Sequence, residues 1–437
     1  FITLISGTIG TYIFPIILSP VLTRIYTPDE FALFTIYMTA VQIISVVSTL
    51  KYELGIPLVN NHQERIDLFR ISFINTILIA FFTFLIIRIC FIVNSNSAYG
   101  VQVLAYFIPS GIILMSLFHQ ILYNWLLYKQ KFNYISISKI LFGFIYAIFP
   151  IMLYQICDLK DFIYLVISHQ IGLFLGLIAI FFLSYKKITF KNLTSIFVFK
   201  IQDLTNILKK YKKYAFFSSP SALMNTISIW IPVIFIWGFF DEKYTSLFFL
   251  SHRVVNLPMM VLGHAIGKIF YSKASINLKE GVLNQNIVRY FKILFHIAFP
   301  CLIICLFLAP NLFNSIYGSS WSEAGKIVQI LSPWLFFTLL ASPISTIPTI
   351  LYKQEIEFKF QAILLAVRII SLLIGCFVIR DLYFTLIFFS FGSSLVWMLY
   401  LFYIFKLSEI KINQIISSCL SNKYEYLLLL LIVLLMY

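Results

Sequence analysis

Apolar runs of 18 or more residues recur from one end of this 437-residue chain to the other, and they constrain its fold more than any other feature. Crossing about 30 Å of hydrocarbon takes about 20 apolar residues in a helix, so each run is a candidate membrane-spanning helix. The chain is 61% apolar and 11% charged, whereas soluble domains are about half apolar and about a quarter charged. The sequence therefore predicts an all-α polytopic membrane protein.

The apolar runs predict twelve spans, at 3–23, 31–50, 71–93, 103–127, 139–156, 162–184, 214–239, 246–267, 291–309, 327–351, 360–379 and 382–405. A last run at 426–437 is too short to cross the bilayer, so it predicts a partial extra C-terminal helix. Pro15 and Pro20 interrupt the first span, which has no small-residue cleavage site and is not interpreted as a signal peptide.

The segment 185–213 separates six spans from six and predicts the domain organisation. We expect an N-terminal six-helix lobe at 1–184, a linker at 185–213, a C-terminal six-helix lobe at 214–406, and a cytoplasmic tail with a hydrophobic segment at 407–437. The linker carries eight Lys and one Asp among interleaved apolar residues. This composition is typical of an amphipathic segment resting on an anionic membrane surface, or of a linker that obeys the positive-inside rule.

A short similarity between the halves indicates an internal repeat. "FALF" at 31–34 opens the second span and "TSLF" at 245–248 opens the eighth, an offset of 214 residues (245 minus 31). Because six spans separate them, the halves would run in the same direction, as a parallel repeat. Before the first of these stretches, Thr27, Pro28 and Glu30 fit an N-cap, a first helical position and a capping box, so helix initiation explains this acidic turn.

The net charge of +15 is explained by topology. Numbered in order, the even loops hold 24 of the 32 Lys and Arg, and the odd loops hold five. Because basic residues accumulate in cytoplasmic loops, both ends of the twelve-helix unit are predicted to lie in the cytoplasm, and the charge requires no nucleic-acid partner.

Neither a cofactor nor a metal site is predicted. The six Cys are scattered with no C-x-x-C. "GHAIGKIF" at 263–270 has three residues between its glycines and Ile269 after the lysine, so it does not match a phosphate-binding loop. An H+ or Na+ gradient, or the gradient of the substrate itself, is then the candidate energy source.

Embedded charge points to an anionic ligand. Arg88, Arg253 and Arg368 lie inside predicted spans, and no acidic residue does. At 100° per residue, Arg253, Asn256 and His264 share a stripe about 80° wide. An arginine at a helix centre costs about 2.5–3.5 kcal/mol on insertion scales, so this stripe is expected to face protein or water and not lipid.

Polar residues of other spans complete the candidate substrate-binding set. Ser221 and Asn225 share one face of the seventh span, although small polar residues also serve close helix packing. Arg88 lies near a helix end and is expected to snorkel to the interface. The predicted cavity residues are Arg253, Asn256, His264, Asn225, Ser221, Arg24 and Arg368.

Four stretches carry a resemblance to a known family. "SPVLTRIYTPDEFALF" at 19–34, "KYELGIPLV" at 51–59 and "YGSSWSEAGKIVQILSPWLF" at 317–336 resemble signatures of Wzx-type polysaccharide flippases of the MOP superfamily. "SHRVVNLPMMVLGHAIG" at 251–267 is similar to the eighth helix of the lipid II flippases, where an R-x-x-[QN]-L-P pattern recurs.

The resemblance implies two six-helix bundles around a central cavity that opens alternately to each side of a bacterial inner membrane. It implies export of an undecaprenyl-diphosphate-linked oligosaccharide, an O-antigen or capsule repeat unit, without enzymatic chemistry. Arg253 would contact the diphosphate, and Arg24 would lie near the external mouth. A polymerase and a chain-length protein are the partners that such a role implies.

Two other functions are weighed. A multidrug exporter of the same superfamily would need acidic groups for cationic drugs, and the predicted spans contain none. An O-antigen polymerase or polyprenyl-dependent glycosyltransferase would be expected to use a sizeable external loop, whereas the longest predicted here is 310–326, with Glu323 as its one acidic residue.

Overall fold

The computed structural model describes residues 2–59, 61–93, 99–157, 161–184, 201–256, 283–345, 347–350 and 353–419. In this part of the chain every regular element is helical. The α-helices are α1 Ile2–Ile17, α2 Ser19–Ile25, α3 Pro28–Ser48, α4 His62–Val93, α5 Tyr99–Ser116, α6 Leu122–Tyr128, α7 Phe132–Cys157, α8 Phe162–Ser184, α9 Ile201–Lys210, α10 Ser219–Phe239, α11 Glu242–Val255, α12 Leu283–Tyr317, α13 Ser322–Ala341, α14 Ile347–Ile350, α15 Gln354–Leu373, α16 Leu382–Leu407 and α17 Ile412–Cys419. The predicted all-α class is confirmed.

Helix occurs at each of the twelve predicted spans, and ten of the described helical segments are long and apolar enough to cross a membrane. The first predicted span is divided into α1 and α2 by a break at Leu18, between Pro15 and Pro20. The eighth is described only as α11, and residues 257–267 of that span lie outside the described residues. The chain is a multi-pass membrane protein.

Contacts divide the chain into two compact units, 1–234 and 235–437. The first unit packs through close helix approaches. A side chain on Gly143 of α7 would place its Cβ 2.5 Å from the carbonyl oxygen of Gly10 and 2.8 Å from that of Thr11, both on α1. Glycine is therefore required at this crossing, as small residues are at other membrane helix contacts.

The capping box predicted before α3 is confirmed. The Thr27 backbone N–H donates to the Glu30 carboxylate at 2.7 Å, and the Glu30 N–H donates to the Thr27 hydroxyl at 3.4 Å. In the second unit Asp241 is the N-cap of α11, which is 214 residues further on (241 minus 27). The two helix starts thus share the offset found between "FALF" and "TSLF", which supports the internal repeat.

The described part of the linker packs on protein. Residues 185–200 lie outside the described residues, and α9 follows them. Leu204 and Ile207 of α9 are buried in a cluster with four residues of the turn after α3 and the start of α4, namely Tyr52, Ile56, Leu68 and Ile71. Because protein side chains cover this apolar face of α9, it does not rest on the membrane surface, and of the two interpretations offered by the sequence the membrane-surface one does not apply to α9.

Polar contacts fix α9 in the same place. The Lys210 ammonium donates to Glu64 at 2.6 Å, and the Tyr211 hydroxyl donates to the other oxygen of the same carboxylate at 2.8 Å. Glu64 lies in the first turn of α4. The described part of the linker is therefore an integral part of the first unit.

Candidate functional site

Arg253 and Asn256 lie where α11 ends. Residues 245–252 of this helix are buried, whereas 253–256 are half-buried, so the helix becomes accessible at its C-terminal turn. The Arg253 guanidinium lies 5.9 Å from the centroid of the Phe249 ring. Basic residues are favourable at a helix C-terminus because the carbonyl groups there carry partial negative charge.

The predicted stripe on this span is described only in part. Ser246, seven residues before Arg253 on the same helix, is buried and donates to the carbonyl of Lys243 at 2.7 Å, so its hydroxyl is satisfied within α11. His264 lies outside the described residues, and its placement in the candidate site stays a prediction.

The polar residues on one face of α10 are accessible in the first part of the helix. Ser221 is half-buried and Asn225 is exposed, one turn apart on the same face, as predicted. Further along this face Ser228 is 1% exposed. Two of the predicted polar residues are accordingly accessible in the first unit, while the rest of the face is closed by packing.

Arg24 is exposed in the last turn of α2. The next residues anchor this turn, since Tyr26 is 1% exposed and its ring makes an edge contact with Phe31 at 5.9 Å between centroids. The sequence "LTRIY" thus alternates an accessible guanidinium with a buried aromatic ring, which holds Arg24 at a defined point of the surface.

Arg368 differs from the other candidates because it lies in the interior of the second unit, 2% exposed. Its guanidinium carbon is 4.8 Å from the centroid of the Trp334 ring and 5.2 Å from that of Phe389, and its Nε donates to the Ser393 hydroxyl at 3.0 Å. Two aromatic rings and a hydroxyl on α13 and α16 therefore enclose this cation.

Sequence reasoning missed the aromatic column that connects Arg368 to the turn carrying Arg253. The His252 ring stacks on Trp334 with centroids 5.7 Å apart and an interplanar angle of 14°. On its other side, Phe248 lies parallel at 6.0 Å and 9°. The column Phe248–His252–Trp334–Arg368 ties α11 to α13 and α15, and so it fixes the backbone from which Arg253 projects.

A signal for this column was present in the sequence. His252 falls 100° from Arg253 on the helical wheel, so the two side chains lie on different faces of the helix. Its partner Trp334 lies 82 residues later (334 minus 252), and residue spacing alone does not identify such a contact.

The two buried carboxylates described in the first unit each lie beside a basic side chain. Asp67, 3% exposed, accepts from Arg70 at 2.5 Å, and Glu53, 1% exposed, lies 3.7 Å from Lys51. Among the residues that the structure describes, no group of three or more His, Cys, Asp or Glu is arranged to hold a metal ion.

Comparison with solved structures identifies the architecture. The lipid II flippase MurJ, in an inward closed conformation, superposes with a TM-score of 0.73 and 17% identity, over 100% of this chain and 97% of that one. The chain has the fold of the MOP superfamily of transporters. An inward-facing multidrug resistance MATE family transporter of the MOP superfamily superposes with a TM-score of 0.65 and 14% identity, over 93% of each chain.

Sequence comparison adds one relative. No protein-family model matches the chain. The teichuronic acid biosynthesis protein TuaB of Bacillus subtilis (strain 168) is 20% identical over 167 residues, which are 38% of this chain. The match spans about a third, 34%, of the length of TuaB. The fold is thus shared over nearly the whole chain, whereas the sequence similarity to TuaB concerns a limited segment.

Proposed function

We propose that this MOP-fold protein is a flippase for a lipid-linked oligosaccharide in a bacterial inner membrane. Its substrate is an undecaprenyl-diphosphate-linked repeat unit of an O-antigen or capsule, which crosses from the cytoplasmic to the periplasmic leaflet by alternating access. The observation that carries the proposal is Arg253, a half-buried guanidinium in the last turn of α11 in a chain with a transporter fold. The further residues proposed to bind the substrate are His264, Asn256, Asn225, Ser221 and Arg24.

Arg253 is proposed to bind the diphosphate of the substrate. A diphosphate offers several acceptor oxygens to a planar guanidinium, and a charge-assisted contact contributes roughly 1.5–3 kcal/mol. The polyprenyl tail is apolar and stays in the bilayer, so only the headgroup requires a polar path. The name of the TuaB relative, a teichuronic acid biosynthesis protein, and the lipid II flippase fold both fit a phosphorylated lipid carrier.

Arg368 is assigned a positioning role within this proposal. Its guanidinium is enclosed by Trp334 and Phe389, so it supports the turn of Arg253 through the aromatic column and does not itself contact the substrate. This assignment differs from the sequence-based interpretation, which placed Arg368 among the residues lining the cavity.

A multidrug exporter is the second candidate, favoured by the superposition on the MATE transporter. Cationic drugs require acceptor carboxylates in the transport path. The two buried carboxylates described in the first unit, Glu53 and Asp67, already have the cationic neighbours Lys51 and Arg70. Their arrangement gives a cationic drug little electrostatic attraction, so we favour the lipid-linked oligosaccharide.

Lipid analysis of a deletion strain tests the proposal. Without the protein, we expect the undecaprenyl-diphosphate repeat unit to accumulate on the cytoplasmic leaflet, where a membrane-impermeant sugar-oxidising reagent does not reach it in intact spheroplasts. Restoring the wild-type gene should return the repeat unit to the outer leaflet. Accumulation on the outer leaflet of the deletion strain would instead assign the protein to polymerisation or glycosyl transfer, and unchanged lipids with a new drug sensitivity would favour the multidrug exporter.

A further inference from the structure

A buried carboxylate lies in the turn that follows α3, outside the transmembrane helices. Glu53, in the short 3-10 turn Tyr52–Gly55, is 1% exposed. Its Oε1 lies 3.7 Å from the Lys51 ammonium, and its Oε2 has no hydrogen-bond partner among the described residues. An ionised carboxylate removed from water is costly unless both oxygens are paired. Oε2 of Glu53 is therefore the oxygen to which a proton can bind without displacing Lys51.

The backbone just before Glu53 adopts an unfavourable conformation. Leu50 and Lys51 have φ angles of 50° and 61°, in the left-handed region that is uncommon for residues other than glycine. Such conformations persist where the surrounding structure over-determines them, and they cluster at functional sites. The two left-handed residues turn the chain back on itself, and this brings Lys51 beside Glu53.

A second element, the π-helical turn before α6, also binds the Lys51 ammonium. Gln120 lies in a π-helical turn, Leu117–Ile121, of a kind often found at functional sites. Its Oε1 accepts from the Lys51 ammonium at 3.4 Å and from the Thr49 hydroxyl at 3.1 Å, while its Nε2 donates to the Ser45 carbonyl at 2.5 Å. The ammonium of Lys51 is therefore shared between a carboxylate that can be neutralised and an amide that cannot.

The other titratable groups around this turn are engaged elsewhere. From α4, Arg65 donates to the carbonyls of Ile56 and Val59, and Asp67 binds Arg70. Glu64 binds Lys210 and Tyr211, and the ring of His119 contacts those of Phe118 and Phe142. Tyr214 lies beside Gly55, where an added Cβ would be 3.5 Å from its ring. Within the part of the chain that the structure describes, Lys51 is the charged group that acts on Glu53.

Burial and charge act on the two groups in opposite directions. Burial raises the pKa of Glu53 above its usual range, and the nearby Lys51 ammonium offsets this only in part. Burial lowers the pKa of Lys51, again with partial compensation from Glu53. The two groups are thus brought closer in proton affinity than a free glutamate and a free lysine are.

We propose that Glu53 is a proton-binding site of the first unit, which takes up one proton from water at Oε2 and thereby releases Lys51 to Gln120. The carboxylate and the proton form a neutral carboxylic acid, and no other group changes its charge. When Glu53 is ionised, the end of α3 is held to its own turn by the ion pair. When Glu53 is protonated, the lysine is held by the π-helical turn, so proton uptake alters the contact between these two elements.

Infrared titration of the purified protein in nanodiscs tests the site, and it needs no knowledge of the transported substrate. We expect a protonated-carboxyl band with a midpoint above the ordinary glutamate value of about 4.3. The Glu53→Gln variant, which keeps the side-chain shape, should lose this band. The matched control Glu64→Gln, a glutamate of the same unit that is already bonded to Lys210 and Tyr211, should retain it. A band that survives in Glu53→Gln would overturn the proposal.

Two further readouts sharpen the test. Lys51→Met removes the positive neighbour, so the midpoint of the Glu53 band should move to still higher pH, and an unmoved midpoint would contradict the pairing with Lys51.

Because the folded-state pKa of Glu53 is raised, ionisation opposes folding as the pH rises through that pKa. The melting temperature of the wild type should therefore fall relative to Glu53→Gln at higher pH, and the two should converge below about pH 4.

Discussion

Replacing Arg253 with alanine is expected to reduce export of lipid-linked repeat units by about ten- to a hundredfold. The expected size follows from the loss of one charge-assisted contact, roughly 1.5–3 kcal/mol, since about 1.4 kcal/mol corresponds to a factor of ten. Arg253→Lys keeps the charge but loses the planar guanidinium, so its export should lie between that of the wild type and that of Arg253→Ala. Surface polysaccharide produced by a complemented deletion strain, normalised to the protein level in the membrane, provides the measurement.

Arg88 supplies the matched control for this prediction. It also lies in a span predicted from the sequence, but it is exposed on α4 in the other unit, where its guanidinium donates to the Tyr106 hydroxyl at 3.0 Å. We expect Arg88→Ala to export at close to the wild-type rate. Equal losses in Arg88→Ala and Arg253→Ala would mean that any embedded arginine matters for insertion or stability, and the specific role of Arg253 would be wrong.

Truncation of Arg368 is expected to destabilise the second unit by about 2–5 kcal/mol, the range for deleting a large buried side chain. Arg368→Ala leaves a cavity between Trp334 and Phe389 and removes two cation–π contacts, which contribute most when they are shielded from water. Thermal unfolding in detergent, monitored for the wild type and the variant under one set of conditions, measures the loss.

Arg368→Met separates a positioning role from substrate contact. Methionine keeps much of the volume between the rings and discards the charge, so we expect most of the stability and a substantial share of export to survive. Arg253→Met, in contrast, should lose export without losing stability. If Arg368→Met folds normally and its export falls as far as that of Arg253→Met, Arg368 contacts the substrate and the positioning assignment fails.

The spans and their local signals could be predicted from the sequence, because they depend on composition and short-range chemistry. Apolar runs located helix at all twelve positions, and the Thr27–Glu30 capping box needed only residues three apart. Pro15 and Pro20 marked the break at Leu18 for the same reason. Each of these features is decided by neighbours within one or two helical turns.

Long-range contacts could not be predicted from one sequence. An apolar face such as that of α9 meets either lipid or protein, and only the fold shows that Leu204 and Ile207 meet the cluster beside Tyr52. The same holds for Arg368, whose span predicts an embedded cation but not the rings of Trp334 and Phe389 around it. Helical-wheel reasoning gives the direction of a side chain, whereas its partner is set by which helices pack together.

Binding of undecaprenyl diphosphate to the purified protein in nanodiscs is the most direct measurement of the central claim, that the Arg253 guanidinium recognises the diphosphate of a lipid carrier. The account predicts that wild-type protein binds this lipid about ten- to a hundredfold more tightly than Arg253→Ala does, and that undecaprenol, which has no phosphate, binds both proteins equally and weakly. Equal affinities of the wild type and Arg253→Ala for undecaprenyl diphosphate would contradict it.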